Sequence, residues 1–294
     1  MSSPRSQHIS RRRLLQAAGA AGAAVLVDAC GIEPGRVELV RHDLPIAGLP
    51  PGLAGLRIAQ VTDTHLPGNQ RAAGAAIELL EAERPEVVVL TGDICEDADG
   101  LGALTEFVRA ARGSLATVGI YGNWERKARI PERDLARAYE RGGGELLVSR
   151  NVVVERGGGR LRVVGLDDSR YVAPDLPAAL SGATGNADLW LVHCPQYADL
   201  FDAAQRPAAL LAGHTHGGQL RLPGWTPYTP PGSGRYVAGW YHDTRAPMYV
   251  SRGIGTAVVP ARFCCRPELP VFTLRATRAA PLPDSPGTAP SPAG

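Results

Sequence analysis

Apolar residues along this chain fall into short runs, and each run stops at a polar residue. Leu56–Val61 leads to Asp63, Val87–Leu90 to Asp93, Ala116–Tyr121 to Asn123, Leu161–Leu166 to Asp167, Leu189–Val192 to His193, and Ala208–Ala212 to His214. Runs of this length bounded by Gly, Pro and polar residues read as buried strands. Between the first of them, Ala72–Glu83 and Leu101–Ala111 carry apolar residues every three or four positions, the spacing of a helix with one buried face. Strands alternating with helices predict a largely βαβ sheet covered on both faces. Pro247–Ser251 and Val271–Arg275 read as strands with no helix between them, as in a second sheet packed on the first. The expected fold is α/β, with two mixed β-sheets packed as a sandwich and flanked by helices.

The two ends of the chain carry other patterns. Between Val37 and Leu56 short apolar pieces are broken by Pro45, Pro50 and Pro51, which predicts an edge strand and a turn leading into the body. From Ala279 to Gly294 five prolines stand among small and polar residues, a composition that cannot bury a core and is expected to be disordered. At the other end, Arg11-Arg12-Arg13 precedes the Ala/Gly-rich stretch Leu14–Val27, which exits through Asp28-Ala29-Cys30. A basic start, a short apolar middle and a small-residue exit form the pattern of an export signal. Its fourteen apolar-stretch residues fall short of the ~20 that span a bilayer as a helix. The paired arginines before Leu14-Leu15 resemble a twin-arginine signal, which implies the twin-arginine export machinery as a partner and a periplasmic or other extracytoplasmic destination. Cleavage after Ala29 and lipidation of Cys30 both fit the exit, and a lipidated or retained leader would attach the chain to a membrane through its N-terminus. The predicted organisation is an export signal over 1–29, a lead-in with an edge strand over 30–55, one main domain over 56–278, and the tail over 279–294.

Charge narrows the range of partners. The formal net charge of +2 rests on Arg5, Arg11, Arg12 and Arg13 in the leader, and the body has no basic run able to neutralise a series of backbone phosphates. Nucleic acid as a bulk partner is excluded on that ground. The five cysteines, Cys30, Cys95, Cys194, Cys264 and Cys265, form no Cys-x-x-Cys pair and are expected to be buried free thiols.

The polar stops supply the chemistry. Side chains at the carboxyl ends of several strands converge on one rim of an α/β sheet, where such folds build sites. Asp63-Thr64-His65 sets two ligand types two residues apart, Gly92-Asp93 and Gly122-Asn123 each follow a strand, His193 ends another, and Gly213-His214-Thr215-His216-Gly217-Gly218 adds two imidazoles in a Gly-rich turn. Each motif alone is ordinary turn chemistry. Together, two carboxylates, an amide and four imidazoles exceed the three or four protein ligands of one tetrahedral zinc site. Two divalent ions sharing a carboxylate accommodate them all, and mixed nitrogen and oxygen ligation suits Mn, Fe, Zn or similar ions. A mononuclear zinc hydrolase has no His-Glu-x-x-His here and would leave Asp93 and Asn123 without a role.

In this order the motifs resemble the calcineurin-like metallophosphoesterase superfamily, whose pattern runs D-x-H, G-D, G-N-H-[DE], H, G-H-x-H, and the likeness extends from about Leu56 to Leu274. It implies phosphoester hydrolysis at two metals. Asp63, His65 and His216 would hold one ion and Asn123, His193 and His214 the other, with Asp93 bridging and Asp93, Asn123 and His65 at the reacting centre. Gly213–Gln219 with Arg221-Leu222-Pro223, Tyr249–Gly253, and Arg262-Phe263 through Arg266-Pro267-Glu268 are similar to a bacterial membrane-associated branch that includes phosphodiesterases and relatives of UDP-2,3-diacylglucosamine hydrolases. That similarity implies a lipid-linked or nucleotide phosphoester or pyrophosphate substrate. One departure stands out: the family's G-N-H-[DE] reads Gly122-Asn123-Trp124-Glu125. An indole N–H cannot transfer a proton at neutral pH. Leaving-group protonation then falls to water or to a side chain such as Glu125, or is not needed; a non-catalytic exported metal-binding module is the rival reading. Trp225, Tyr236, Trp240 and Tyr241, beyond the last ligand turn, are candidates for an apolar approach to the site.

Overall fold

The structure, a computed structural model, describes residues 11–182, 184–202, 205 and 207–277; the tail expected to be disordered over 279–294 lies outside them. In chain order the strands are β1 (Glu38–Ala47), β2 (Arg57–Val61), β3 (Val87–Leu90), β4 (Ala116–Gly119), β5 (Glu145–Leu146), β6 (Arg150–Arg156), β7 (Gly159–Gly165), β8 (Ala187–Leu191), β9 (Ala209–Ala212), β10 (Gly239–Tyr241), β11 (Met248–Val250) and β12 (Glu268–Thr277). The helices that bear on the site are α1 (Arg11–Val27), α2 (Gln70–Glu83), α3 (Leu101–Ala110), α4 (Asn123–Lys127) and α5 (Glu132–Gly142). The strands build two six-stranded sheets, in the orders β1-β12-β2-β3-β4-β5 and β10-β11-β9-β8-β7-β6. The sandwich of two mixed sheets read from the sequence is the fold of the chain.

β3 shows what holds the layers together. Val87 and Val89 enter the core between the sheets with Leu161, Val163, Leu189 and Leu211, whereas Val88 and Leu90 lie under the helices with Ala76, Leu104 and Leu135. All four side chains are fully buried, each contributing about 1.5–3 kcal/mol. A strand covered on both faces needs no polar alternation, which is why its sequence is an unbroken apolar run. β2, β3, β4 and β5 pair in parallel, and β7, β8, β9 and β11 do likewise in the second sheet. Parallel strands return through crossovers, so their carboxyl ends share one rim. Gln60 spans the two sheets there, its amide donating to Thr91 Oγ1 and to the Ala212 carbonyl, both at 2.9 Å.

The structure departs from the sequence reading in three places. Val271–Arg275 was expected in the second sheet but belongs to β12, which lies in the first, parallel to β1 and antiparallel to β2. Phe272 and Leu274 face the core between the sheets and Leu269 and Val271 face the helices, so β12 is a doubly covered strand. α5 and β6 were not foreseen. In α5 the buried Leu135, Ala138 and Tyr139 are separated by charged residues on the solvent face, and the apolar content of the segment is low. The N-terminal helix is also longer than the fourteen-residue stretch suggested: α1 runs on through Asp28–Ile32 and Glu33–Gly35. The continuous helical run Arg11–Gly35 has 25 residues and is long and apolar enough to cross a membrane by length and composition, a test that a signal sequence also passes.

Candidate metal centre

The shared rim carries the residues that end the apolar runs. Asp63 and His65 follow β2, Asp93 follows β3, Asn123 opens α4, His193 follows β8, and His214 and His216 follow β9. All seven are buried, none more than 6% exposed. Five of them sit in the left-handed region of backbone conformation: Asp63 (φ 54°), His65 (φ 50°), Asp93 (φ 52°), His214 (φ 75°) and His216 (φ 51°). Such conformations cost of order 1 kcal/mol or more in a non-glycine residue and persist where the surroundings over-determine them. The loops also come too close for side chains. A Cβ on Gly92 would lie 2.7 Å from Gly122 Cα and from His193 Nδ1, and one on Gly122 would lie 2.2 Å from Asp93 Oδ1. These are the glycines of the Gly-Asp and Gly-Asn motifs, present because backbone meets backbone at this rim.

The side chains form two groups joined by a carboxylate. In the first, His65 Nε2 and His216 Nε2 approach to 3.0 Å, and His216 Nε2 stands 3.4 Å from Asp63 Oδ1. In the second, His193 Nε2 lies 3.1 Å from Asn123 Oδ1, and the rings of His193 and His214 pack edge to face at 5.1 Å. Asp93 Oδ2 reaches both groups, 3.2 Å from His193 Nε2 and 3.9 Å from His65 Nε2. The outer shell orients these donors. The Trp124 backbone N–H donates to Asp93 Oδ1 at 2.7 Å, leaving Oδ2 for the histidines. The Thr91 carbonyl lies 2.8 Å from His193 Nδ1, which fixes Nε2 as the inward nitrogen, and the Pro231 carbonyl lies 3.0 Å from His214 Nε2. Asp63 accepts the Thr62 hydroxyl at 2.7 Å and the His214 backbone N–H at 2.9 Å. Carbonyl and hydroxyl partners of this kind set ring tautomer and orientation at metal sites.

The electrostatics fit a cation. Burial lowers His65 to about 4 and, with the neighbouring His193 charge, His214 to about 3; burial with the His65 and Arg262 charges takes His216 well below the ordinary histidine range. These imidazoles are neutral at pH 7, the form that ligates metals. His193 behaves in the opposite way. Burial opposes its charge, but Asp93, by field and hydrogen bond, with Asp63 and Asp168 behind it, raises it to about 10. An imidazolium at this point balances carboxylates that a metal ion would otherwise balance. The Nδ1 atoms of His65 and His216 are buried without a hydrogen-bond partner, and His65 Nδ1 faces the Glu96 carboxylate at 3.6 Å. Asp63, His65 and His216 bring ligand atoms within 4.8 Å of one another, as do Asp63, Asp93 and His193. The residues present therefore fit divalent ions.

Glu125 was one of the alternatives the sequence left open for protonating the leaving group, beside water and no protonation at all, and the structure turns it away from that role. Its carboxylate is buried and accepts four backbone N–H groups, from Gly122 and Asp93 on Oε2 and from Ile94 and Cys95 on Oε1. Burial and the Asp93 charge raise it to about 8 while the amide donors favour the ionised form. It braces the rim and does not face a substrate. Trp124 turns its ring edge toward His65, with centroids 5.4 Å apart, and the Lys127 ammonium covers its face at 4.3 Å. Arg126 bonds Asp167, the polar stop of β7, through Nε at 2.8 Å. Of the aromatic residues considered for an approach, Tyr236 is fully buried, and Trp240 packs with His42, Tyr249 and Phe272. Tyr241 packs against Tyr236, and its hydroxyl oxygen accepts the Val237 backbone N–H at 2.8 Å. Trp225 alone of the four is largely exposed, at 61%.

Arg262 entered the sequence analysis only as part of a resemblance, with no role assigned to it. It is the bulkiest of the fully buried side chains, and its guanidinium donates to the carbonyls of Gly255, Arg252, Gly253, Cys265 and His216. The five cysteines are free, with Cys95, Cys194 and Cys265 buried and Cys30 and Cys264 exposed.

Comparison with known proteins accords with this geometry. Residues 56–239 match the calcineurin-like phosphoesterase superfamily domain. The chain is 30% identical over 299 aligned positions to the uncharacterized metallophosphoesterase YkuE of Bacillus subtilis, covering 92% of this chain and 99% of that protein. It is 29% identical to the phosphodiesterase YaeI of Escherichia coli, covering 90% and 99%, and 26% identical to the uncharacterized metallophosphoesterase YkoQ of Bacillus subtilis, covering 74% and 83%.

Proposed function

The chain belongs to the calcineurin-like phosphoesterase superfamily and is a metal-dependent phosphoesterase, and from that premise we propose that it is a two-metal phosphodiesterase or pyrophosphatase acting outside the cytoplasm on a lipid-linked or nucleotide substrate. Asp63, His65 and His216 would hold one divalent ion and Asn123, His193 and His214 the other, with Asp93 shared. The observation that carries the two-ion reading is the reach of a single oxygen, Asp93 Oδ2, to His193 Nε2 at 3.2 Å and His65 Nε2 at 3.9 Å. Divalent ions at such a site supply Lewis-acid charge to phosphoryl oxygens and ionise water at neutral pH.

The protein's own part is positioning. Trp124 N–H and Glu125 hold Asp93 in one orientation, directly and through the backbone. Thr91 aims His193, and Pro231 aims His214. Burial keeps His65, His214 and His216 neutral and available as ligands. The phosphodiester reading is supported by the name of the Escherichia coli relative and by Trp124, which leaves the motif without its acid and suits a leaving group that needs little protonation. The location outside the cytoplasm is supported by Arg11-Arg12-Arg13 at the start of α1, ahead of its apolar stretch Leu14–Val27.

The test is hydrolysis of a chromogenic phosphate diester and its monoester by manganese-loaded full chain, with Asp93→Asn as the blank. Diester turnover that vanishes in the variant is the expected result; no turnover of either ester would overturn the reading. Replacing Arg12 and Arg13 with Lys should leave the chain in the cytoplasm, and unimpaired export would remove the twin-arginine assignment.

A further inference from the structure

We infer that the protein surface around the base of the helical run Arg11–Gly35, beside the metal centre, is a bilayer-docking face. Three observations on the molecule meet there.

The first is the helix itself. No residue of α1 is buried, and Leu14, Leu15, Leu26 and Val27 are each more than 60% exposed. A helix apolar on every side is stable only where apolar matter surrounds it, and no part of the described protein does so. Its 25 residues extend about 37 Å at 1.5 Å per residue, enough to cross a hydrocarbon core of about 30 Å.

The second is the way this run is fixed to the body. The Ala29 carbonyl accepts the Arg262 backbone N–H at 2.8 Å, the Pro34 carbonyl accepts the Asn69 amide at 2.8 Å, and the buried Glu33 carboxylate accepts the backbone N–H groups of Cys264 and Cys265. A tethered helix without these bonds would leave the domain free to turn. With them, the surface around residues 29–35 is held next to whatever the helix enters.

The third is the composition of that surface. Val258 is 89% exposed and Val259 46%, on the loop that leads to Arg262. Val258 holds φ at 63°, a conformation a β-branched side chain avoids. Both valines border a cavity of about 450 Å³ shared with Cys30, Gly31 and Pro34 of the helix base. The Gln219 amide donates to the carbonyls of Ala257 and Val259, joining this loop to the one that exposes Leu220, Leu222, Trp225 and Tyr228, at 40%, 45%, 61% and 66%. Scattered apolar residues on a surface mean little, but these are clustered, and Trp and Tyr are the residues that favour the headgroup region. The occupant is therefore lipid, as the adjoining apolar helix requires.

The same cavity adjoins the metal centre through one side chain, Glu96, which borders it and holds Oε1 3.6 Å from His65 Nδ1. A phosphodiester in a lipid headgroup would thus reach the site without leaving the interface; this consequence rests on the phosphodiesterase reading, whereas the docking does not.

The experiment uses the full chain reconstituted into vesicles of phosphatidylcholine with brominated acyl chains, which quench tryptophan only on contact. Wild-type emission should be quenched, and most of the quenching should disappear in Trp225→Phe, because Trp190 is buried, Trp240 is packed in its aromatic cluster, and Trp124 is half-buried against His65 with the Lys127 ammonium over its ring. Vesicle-bound protein with the same quenching in wild type and Trp225→Phe would overturn the proposal, as would failure of the full chain to bind vesicles. In parallel, Val258→Asp with Val259→Asp should lower turnover of a vesicle-borne phosphodiester at least tenfold relative to a soluble one. Loss of both activities in the wild type would refute the enzymatic reading and leave the quenching result to decide the docking.

Discussion

Glu125 accepts the backbone N–H of Asp93 at 3.0 Å, so the residue that follows the Asn-Trp pair at the start of α4 holds the backbone of the candidate ligand that follows β3. The same oxygen accepts Gly122 N–H at 2.9 Å, and its companion accepts Ile94 and Cys95. Two loops that each carry a candidate ligand are thereby joined through a single buried side chain. Asp93, whose backbone is in the left-handed region, has little freedom once Glu125 fixes its N–H and Trp124 N–H fixes its Oδ1.

Replacing Glu125 with Gln tests that tie. The amide nitrogen must then face two backbone N–H donors, leaving them unpaired at roughly 1–3 kcal/mol each. Removing an outer-shell partner typically costs about 10–100-fold in metal affinity. Glu125→Gln should fold with a lowered melting temperature and bind manganese at least tenfold more weakly by titration calorimetry. Wild-type affinity in the variant would mean that Asp93 is held by other contacts.

Proton and metal compete at His193. With Asp93 beside it the imidazole is raised from 6.5 to about 10, so across pH 7 to 9 the metal-free protein carries a proton there that an ion must displace. Affinity for manganese should rise about tenfold per pH unit over this range, with one proton released per binding event from this residue. Stability moves the other way in the metal-free form. A raised pKa contributes stability that is complete below the unfolded value and is lost as pH climbs through the folded one, so His193 weakens the fold between about pH 6.5 and 10. Thermal unfolding at pH 7, 8 and 9, with and without manganese, should show a falling midpoint in the metal-free protein only. A flat metal-free profile would contradict the His193–Asp93 pairing.

The strands of this rim and the polar residues that meet on it were legible in the sequence because burial on both faces leaves an unbroken apolar run, and a polar residue at its end is then conspicuous. Val87–Leu90 before Asp93 is the clearest case. What could not be read was structure held by contacts distant along the chain. β12 joins the first sheet because Val271 and Phe272 find opposite cores, a fact that no local pattern encodes. Arg262 looks like any surface arginine until five carbonyls are seen around it. Glu125 was visible as the acidic end of a motif, but whether it faced a substrate or the backbone depended on the loop after β3.

Arg262 organises the segment that ends beside Asp63, and Lys cannot replace it. A guanidinium offers five donors in a fixed fork, an ammonium three on a flexible stem. Arg262→Lys would leave at least two of the five carbonyls unpaired, at roughly 1–3 kcal/mol each. Urea unfolding should show a loss of that order, together with weaker manganese binding, because Gly253, one of its partners, packs against Asp63. Unaltered unfolding would show that the buried guanidinium contributes nothing net.

Arg170 is exposed and packs across Gly232 from Cys194 and His214. Its charge already lowers the proton affinity of His214, after burial and the His193 charge. A guanidinium at the edge of a phosphoester site binds the anion in ground and transition states alike, which raises KM on removal and leaves kcat. Arg170→Ala should raise KM for the diester about tenfold, equivalent to about 1.4 kcal/mol, and Arg170→Lys should recover part of it. A fall in kcat with KM unchanged would place Arg170 at the reacting atoms instead.

Trp124→His restores the histidine that the motif lacks, and its effect depends on the leaving group. The indole sits with its edge on His65, at 5.4 Å between centroids, in a half-buried position under the Lys127 ammonium. A nitrophenolate leaves without help, so the variant should hydrolyse a nitrophenyl diester at nearly the wild-type rate. An alkoxide needs a proton, and a positioned imidazole contributes typically 10²–10⁴-fold to such a transfer; the histidine loses the indole's packing, so a gain toward the lower end, about tenfold to a hundredfold, is expected on an alkyl diester. The measurement is kcat/KM for both esters in wild type and variant at pH 6 to 8. A selective gain on the alkyl ester would show that Trp124 tuned the enzyme toward substrates that leave unprotonated. Equal loss on both esters would show that Trp124 instead supports His65 by packing, and the missing acid would then have to be sought outside the motif.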